Sequence, residues 1–168
     1  ANCINNDFVM QMELDSEGRY LFVGTTTGLS CLDLRSGRWD RVLGTNKLLK
    51  GSAIRAIRYR KDMGLWVGTA LGLYKVTFKP GGKGQHTLKQ YTTADGLIDN
   101  HVSSIEFDNA NRVWVSTSKG LCSLDPAKGQ FVSYFESDGL QGNEFSEGVS
   151  FKDTDGKLYF GGTMGMSF

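Results

Sequence analysis

The chain alternates short apolar runs with polar, glycine-bearing corners, and the same alternation returns four times. Aligned on one aromatic position, it reads LFVGTTTGLSCLDL from Leu21, LWVGTALGLYKVTF from Leu65, VWVSTSKGLCSLDP from Val113 and LYFGGTMGMSF from Leu158. The markers Phe22, Trp66, Trp114 and Tyr159 stand 44, 48 and 45 residues apart, a period shared by propeller blades and some helical repeats. Periodicity separates the two. The runs before the markers, FVMQMEL, AIRAIRY, VSSIEFD and EGVSFK, are rich in β-branched and aromatic residues and too short for an ordinary helix, so they predict strands.

Between each such run and its marker lies a corner: DSEGR, RKDMG, DNANR and DTDGK. Gly18, Gly64 and Gly156 share one place in it and Asn111 takes that place in the third copy. Asn is the best substitute for Gly where φ is positive, so the position predicts a left-handed hairpin corner. A Gly-Thr-x-x-Gly turn follows the marker, then a third and a fourth strand. In the second copy, Gly68 and Gly72 are expected to permit that turn, with Thr69 inside it.

The expected fold is all-β: a propeller segment of about four four-stranded antiparallel blades, the last lacking its outer strand. The chain reads as a single partial propeller domain over 1–168, with repeats at approximately 8–44, 53–92, 101–136 and 145–168. Sheets apolar on both faces suit radial packing against neighbours. The fourth unit stops after its third strand, and residues 1–7 are too short and polar to replace the fourth. An open ring exposes blade faces and a strand edge, so the expected partners include further blades or a second copy of the chain.

Composition narrows the function classes. A net charge of +1, from 19 Lys+Arg against 18 Asp+Glu, with the basic residues scattered, argues against a nucleic-acid or membrane-surface partner. No apolar stretch approaches the length of a membrane span and no export leader is evident. Cys3, Cys31 and Cys122 are odd in number and unpatterned, unlike a disulfide framework or a metal knuckle.

The WVGTxxGL run, together with TADGLIDNHVSSI from Thr93 to Ile105, resembles the two-component regulator propeller repeat. The last unit carries Asp138-Gly139-Leu140, then Asn143-Glu144-Phe145, then Phe160-Gly161-Gly162 and Gly165, an order similar to the closing blade of hybrid two-component sensors. The link GTNKLLKGSAIRAI departs from the pattern by lacking the Asp-Gly-Leu. The resemblance implies the periplasmic sensor region of an inner-membrane hybrid histidine kinase/response regulator, and it implies sensing of a glycan-derived oligosaccharide. This chain is similar to the last four blades of that propeller and holds no kinase motif.

Other chemistry fits less well. GTALG is not followed by an amphipathic helix, so it lacks the context of a phosphate-cradling loop. DTDGK begins like a calcium loop, yet the place of its bidentate glutamate is Gly162. His86 and His101 lack zinc spacing and read as surface or loop residues. No serine is paired in sequence with a histidine base; carboxylate pairs such as Glu144 and Glu147 are weighed for glycoside hydrolysis, and these two fall in a blade-to-blade connection. No cofactor is expected. The second-to-third strand turns and the blade connections share one face of an ordinary propeller, where loops on a rigid scaffold carry binding. That face gathers the candidate ligand residues Asn100, His101, Lys119, Asn143 and Glu144. Trp66 and Trp114 read as packing residues. Alternative readings are a propeller enzyme of lyase type and a structural interaction scaffold.

Overall fold

The computed structural model describes residues 4, 6–40, 52–77 and 86–168. Cys3, residues 41–44 at the end of the first expected repeat, and positions 44–51 of the divergent link lie outside them. The described residues form four antiparallel sheets, each with its strands in chain order. The first holds β1 (Val9–Leu14), β2 (Tyr20–Thr25), β3 (Gly28–Asp33) and β4 (Arg38–Asp40). The second holds β5 (Ala56–Arg60), β6 (Gly64–Thr69), β7 (Gly72–Thr77) and β8 (Thr87–Tyr91), and the third β9 (Val102–Phe107), β10 (Val113–Thr117), β11 (Gly120–Asp125) and β12 (Gln130–Tyr134). The fourth has only β13 (Phe145–Lys152), β14 (Leu158–Gly162) and β15 (Gly165–Ser167). This is the four-bladed, one-strand-short arrangement that the repeat predicts.

The corners between first and second strands are left-handed, with φ of 65° at Gly18, 78° at Gly64, 62° at Asn111 and 89° at Gly156. An aspartate fastens three of the four. Asp15 Oδ1 accepts the N–H groups of Arg19 and Tyr20, Asp108 Oδ1 those of Ala110 and Arg112, and Asp153 Oδ1 those of Asp155 and Lys157. In two of these units the other carboxylate oxygen holds the aromatic marker: Trp114 Nε1 donates to Asp108 at 2.8 Å and the Tyr159 hydroxyl to Asp153 at 3.1 Å. The second unit has Arg60 in that place, and there Trp66 Nε1 donates to the Met63 carbonyl at 2.9 Å.

Three apolar clusters lie between neighbouring sheets. Phe22, Leu29, Ile54, Ile57, Val67 and Tyr74 join the first two units; Trp66, Leu73, Tyr91, Ile105, Val113 and Leu124 join the second and third. Leu121, Phe145 and Phe160 join the third and fourth. Full burial of each such side chain contributes about 1.5–3 kcal/mol. Both marker tryptophans pack toward the next blade, fully buried Trp66 in the cluster with Val102 and Ile105 and Trp114 against that of Phe145 and Phe160, and each stacks on a tyrosine of its own blade, Tyr91 at 5.8 Å and Tyr134 at 5.3 Å.

The glycine before the turn has a different task from the one expected. Gly68 does not have a positive φ; that belongs to Gly72, at 127°. A Cβ on Gly68 would run into Val102, the first residue of the next unit's innermost strand, and one on Gly24 would lie 2.6 Å from Ile54 Cγ2. The repeated glycine therefore lets adjacent blades approach at their inner ends. Thr69 does serve the turn: its Oγ1 donates to the Gly72 carbonyl and accepts the Leu71 N–H.

Both end sheets leave an apolar face in solvent. Met12, at the register position of buried Ile57 and Ile105, is 61% exposed, and Met166, at that of Leu73 and Leu121, is 55% exposed. His86 is buried rather than superficial, with Nε2 3.2 Å from Asp40 Oδ2 in the outer strand of the first unit.

Candidate functional site

One face of the segment is built from the second-to-third strand turns and the blade connections. Three of the four turns are tied by a threonine: Thr25, Thr69 and Thr117 donate to the carbonyls of Gly28, Gly72 and Gly120, and Gly162 stands in that place in the fourth unit. The connections into the third and fourth units each begin with a short 3-10 turn, Thr93–Asp95 and Glu136–Asp138, closed by Gly96 and Gly139 in left-handed conformation. Local hydrogen bonds drive this folding, because Asp95 Oδ2 accepts the Thr92 N–H and Asp138 Oδ2 the Phe135 N–H.

The two candidate asparagines belong to these connections. Asn100 Oδ1 accepts the Thr93 N–H at 2.9 Å, and Asn143 Oδ1 accepts the Glu136 N–H at 2.8 Å. Each side chain bridges the ends of its loop in the manner of an Asx cap. Lys119 extends into solvent, its Nζ 3.8 Å from Asp99 Oδ2. Asp99 also accepts the Ser118 hydroxyl at 2.7 Å and the His101 N–H at 3.4 Å. Burial alone would raise its pKa, but these bonds and Lys119 hold it below the usual carboxylate range. Glu144 is exposed, and its carbonyl accepts the Thr163 N–H across to the turn of its own unit.

His101 leads to residues that the sequence does not single out as ligands. Its Nε2 lies 3.6 Å from Glu147 Oε1, and the same oxygen lies 2.9 Å from Arg55 Nε. Arg55 stands just before β5, His101 just before β9, and Glu147 inside β13, so three units contribute one residue each. Glu147 arrives by a bulge. Between the pairings Val102↔Thr117 and Ile105↔Val115, β9 holds two residues; between the equivalent Phe145↔Gly162 and Ser150↔Phe160, β13 holds four. The expected pair Glu144 and Glu147 is thereby divided, with Glu144 at the blade connection and Glu147 turned to the basic residues of the second and third units.

Deeper along the innermost strands the charges alternate. Arg58 grips Glu106 with two bonds, Nε–Oε2 at 3.2 Å and Nη2–Oε1 at 2.6 Å, and reaches Glu13 Oε2 at 3.4 Å. Ser150 donates to Glu106 at 2.9 Å, and Glu13 accepts the Tyr59 N–H at 3.0 Å. Burial lifts the Glu13 carboxyl above its ordinary value despite the Tyr59 and Arg58 contacts.

Two hollows lie elsewhere. One of about 470 Å³ opens between the corners of the first two units, lined by Asp15, Tyr59, Lys61 and Asp62. The other, about 330 Å³ and mostly apolar, lies between the third and fourth units, lined by Trp114, Leu121, Tyr134, Phe160 and Phe168. Neither contains a candidate ligand residue. Among the described residues no three His, Cys, Asp or Glu side chains are placed to hold a metal ion, and no helix is long and apolar enough to cross a membrane.

Comparison with known proteins places this geometry. The sequence pattern of the two component regulator propeller matches residues 96–119, which run from the connection through β9 and β10 to the turn bearing Lys119. Histidine kinase P4 of Formosa agariphila is 26% identical over 97% of this chain, which covers 12% of that protein's length. The extracellular domain of the hybrid two-component system BT4673 of B. thetaiotaomicron superposes with a TM-score of 0.77 at 17% identity, covering 99% of this chain and 22% of the other. Virginiamycin B lyase of Staphylococcus aureus superposes at 0.67 with 13% identity, covering 93% and 49%. The structural likenesses establish a β-propeller fold common to sensors and an enzyme, and residues 96–119 of this four-unit propeller segment match the two component regulator propeller pattern.

Proposed function

We propose that this chain is part of the ligand-sensing, extracytoplasmic propeller of a hybrid two-component signalling protein, and that it responds to a glycan-derived oligosaccharide. The carrying observation is the regulator-propeller match at residues 96–119, on a fold shared with an extracellular sensor domain. In this reading the chain binds and transmits; the phosphorelay chemistry belongs to a kinase elsewhere in the protein, on the far side of the inner membrane. The periplasm is the compartment in which such a sensor meets its sugar. The lyase likeness is one of fold and brings no catalytic residue with it.

The face of turns and connections supports sugar recognition through a rigid scaffold with polar side chains at its loops. The exposed faces around Met12 and Met166 are covered, in this reading, by further blades of the same propeller. Sequencing the parent reading frame tests the proposal: it is expected to encode a membrane helix and a kinase, and a frame encoding a soluble enzyme overturns it. Light scattering on the isolated chain tests the edge contacts, with self-association expected from two uncovered faces.

A further inference from the structure

The corner of the first unit lacks a bond that two of its sister corners make. In the third and fourth units the corner aspartate uses Oδ1 for backbone N–H groups, while Oδ2 accepts from the marker, from Trp114 Nε1 at 2.8 Å and from the Tyr159 hydroxyl at 3.1 Å. In the first unit Asp15 Oδ1 serves the Arg19 and Tyr20 N–H groups in the same way, but the marker is Phe22, which has no donor. Asp15 Oδ2 therefore accepts no hydrogen bond among the described residues. The residue is only 7% exposed, yet this oxygen is not sealed in, and Asp15 lines the hollow of about 470 Å³ between the first two corners. A nearly buried polar atom without a partner calls for an explanation, and this one has open space beside it.

The depth of the hollow is apolar and its rim is charged. Buried Phe22, Leu65 and Val76 line it, and Tyr59 lies against Phe22 with ring centroids 5.8 Å apart. The charges already have partners: Lys61 Nζ meets Glu17 at 2.9 Å, Arg60 Nε holds Asp62 at 2.7 Å, and the Lys75 ammonium sits over the Trp66 ring at 5.3 Å. Asp15 Oδ2 is left as the one deep acceptor. The volume lies within the range of small-molecule pockets, about 300–1,000 Å³.

The sister corners indicate what completes such an oxygen: an indole N–H in one unit and a phenol O–H in another. A flat ring with a single donor suits this hollow, because its faces meet apolar and aromatic side chains while its N–H or O–H meets a carboxylate that only accepts. A sugar would turn most of its hydroxyls toward Leu65, Val76 and Phe22 and leave them unpaired. An acidic ring would bring a second negative charge beside Asp15. We propose that the hollow between the first two corners binds an aromatic ring bearing a hydrogen-bond donor, of the phenol or indole class, with the donor on Asp15 Oδ2. The corners lie at the opposite end of the strands from the turns and connections, so this site is separate from the face proposed for the sugar.

The test is titration of the purified chain with indole, N-methylindole, phenol, toluene, indoleacetate and maltose, followed by the backbone amide signals of Arg19 and Gly64. Indole and phenol are expected to shift both signals and to bind about tenfold more tightly than N-methylindole and toluene, the worth of a hydrogen bond to a charged group; indoleacetate is expected to bind more weakly than indole. Asp15→Asn keeps an acceptor for the Arg19 and Tyr20 N–H groups and replaces Oδ2 by a donor, so it should erase the preference for indole over N-methylindole. Phe22→Tyr offers Asp15 a hydroxyl from within the chain, as Tyr159 does for Asp153, and is expected to raise the melting temperature and to block the rings. The comparison of indole with N-methylindole on the unaltered protein needs no variant. Equal binding of those two, or a preference that survives Asp15→Asn, overturns the role of Asp15. Amide signals unmoved by any ring overturn the site, and a shift with maltose but not with the rings overturns the ligand class.

Discussion

Gly68 of the second unit lies directly against Val102 of the third, so close that a Cβ on the glycine would lie within 3.0 Å of the valine Cβ. The contact joins the second strand of one blade to the innermost strand of the next, and it fixes how near the blades come. Gly68→Ala is expected to cost about 1–3 kcal/mol, the usual penalty for forcing extra volume into a packed interface. Thermal or urea unfolding reads it. Adding Val102→Ala should restore part of the loss, giving a favourable coupling in a double-mutant cycle; simple additivity would place the strain elsewhere.

Asn100 separates a structural role from a recognition role. Asn100→Ala removes the acceptor of the Thr93 N–H and is expected to destabilise by about 1 kcal/mol, the usual cost of a lost cap. Asn100→Asp keeps an acceptor oxygen and should melt like the unaltered chain. A sugar affinity that falls in Asn100→Asp without a change in melting would assign the amide nitrogen to the ligand.

Asp108 makes part of the stability depend on pH. Burial would raise its carboxyl, yet bonds from Trp114 Nε1 and from the Arg112 N–H and guanidinium outweigh that and hold its pKa below the ordinary aspartate value. A carboxyl lowered by folding stabilises fully above its unfolded pKa, and the contribution is lost as pH falls through the lower folded value. Asp108→Asn is therefore expected to cost about 1–2 kcal/mol at pH 7. Urea midpoints measured from pH 7 down to pH 2 should show the gap closing below about pH 4; a gap that stays constant would mean that charge plays no part.

The two described cysteines should be inert in the native protein. Burial pushes both Cys31 and Cys122 up to about 12, and the thiolate is the form that reacts. Iodoacetamide at pH 8 should leave both unmodified by peptide mass mapping, and should modify both once urea unfolds the chain. Labelling of either in the folded protein would show that its blade opens readily.

What the sequence discloses is the content of one unit. The repeat announces the strands, the left-handed corner and the missing outer strand, because these arise from residues close in the chain. Asn111, standing where three copies have glycine, is enough to set the corner's conformation. Contacts between units are harder to read. Gly68 looks like a turn residue beside Thr69 and Gly72, and only the packing of Val102 reveals its task. Arg55 and Glu147 lie far apart in sequence, and Glu147 sits in an insertion that the other copies lack, so no repeat position marks either. The corner aspartates carry a local signal, since Asp15, Asp108 and Asp153 all precede the corner. Their bonds to Trp114 and Tyr159 explain why the marker is aromatic with a polar tip in those two units.

The alternation of Glu13, Arg58 and Glu106 at one register position has a consequence for assembly. Units so alike in sequence and backbone are nearly interchangeable as shapes, so shape alone does not stop a collapsing chain from stacking them out of turn; charge removes that freedom. Setting the first unit directly beside the third would bring Glu13 against Glu106 with no arginine between them, a like-charge contact that disfavours the wrong neighbour. The fourth unit carries Phe151 at this position, so it offers neither sign. The blades thus bear a running order of their own, acidic, basic, acidic and uncharged, that tells otherwise similar parts which one comes next.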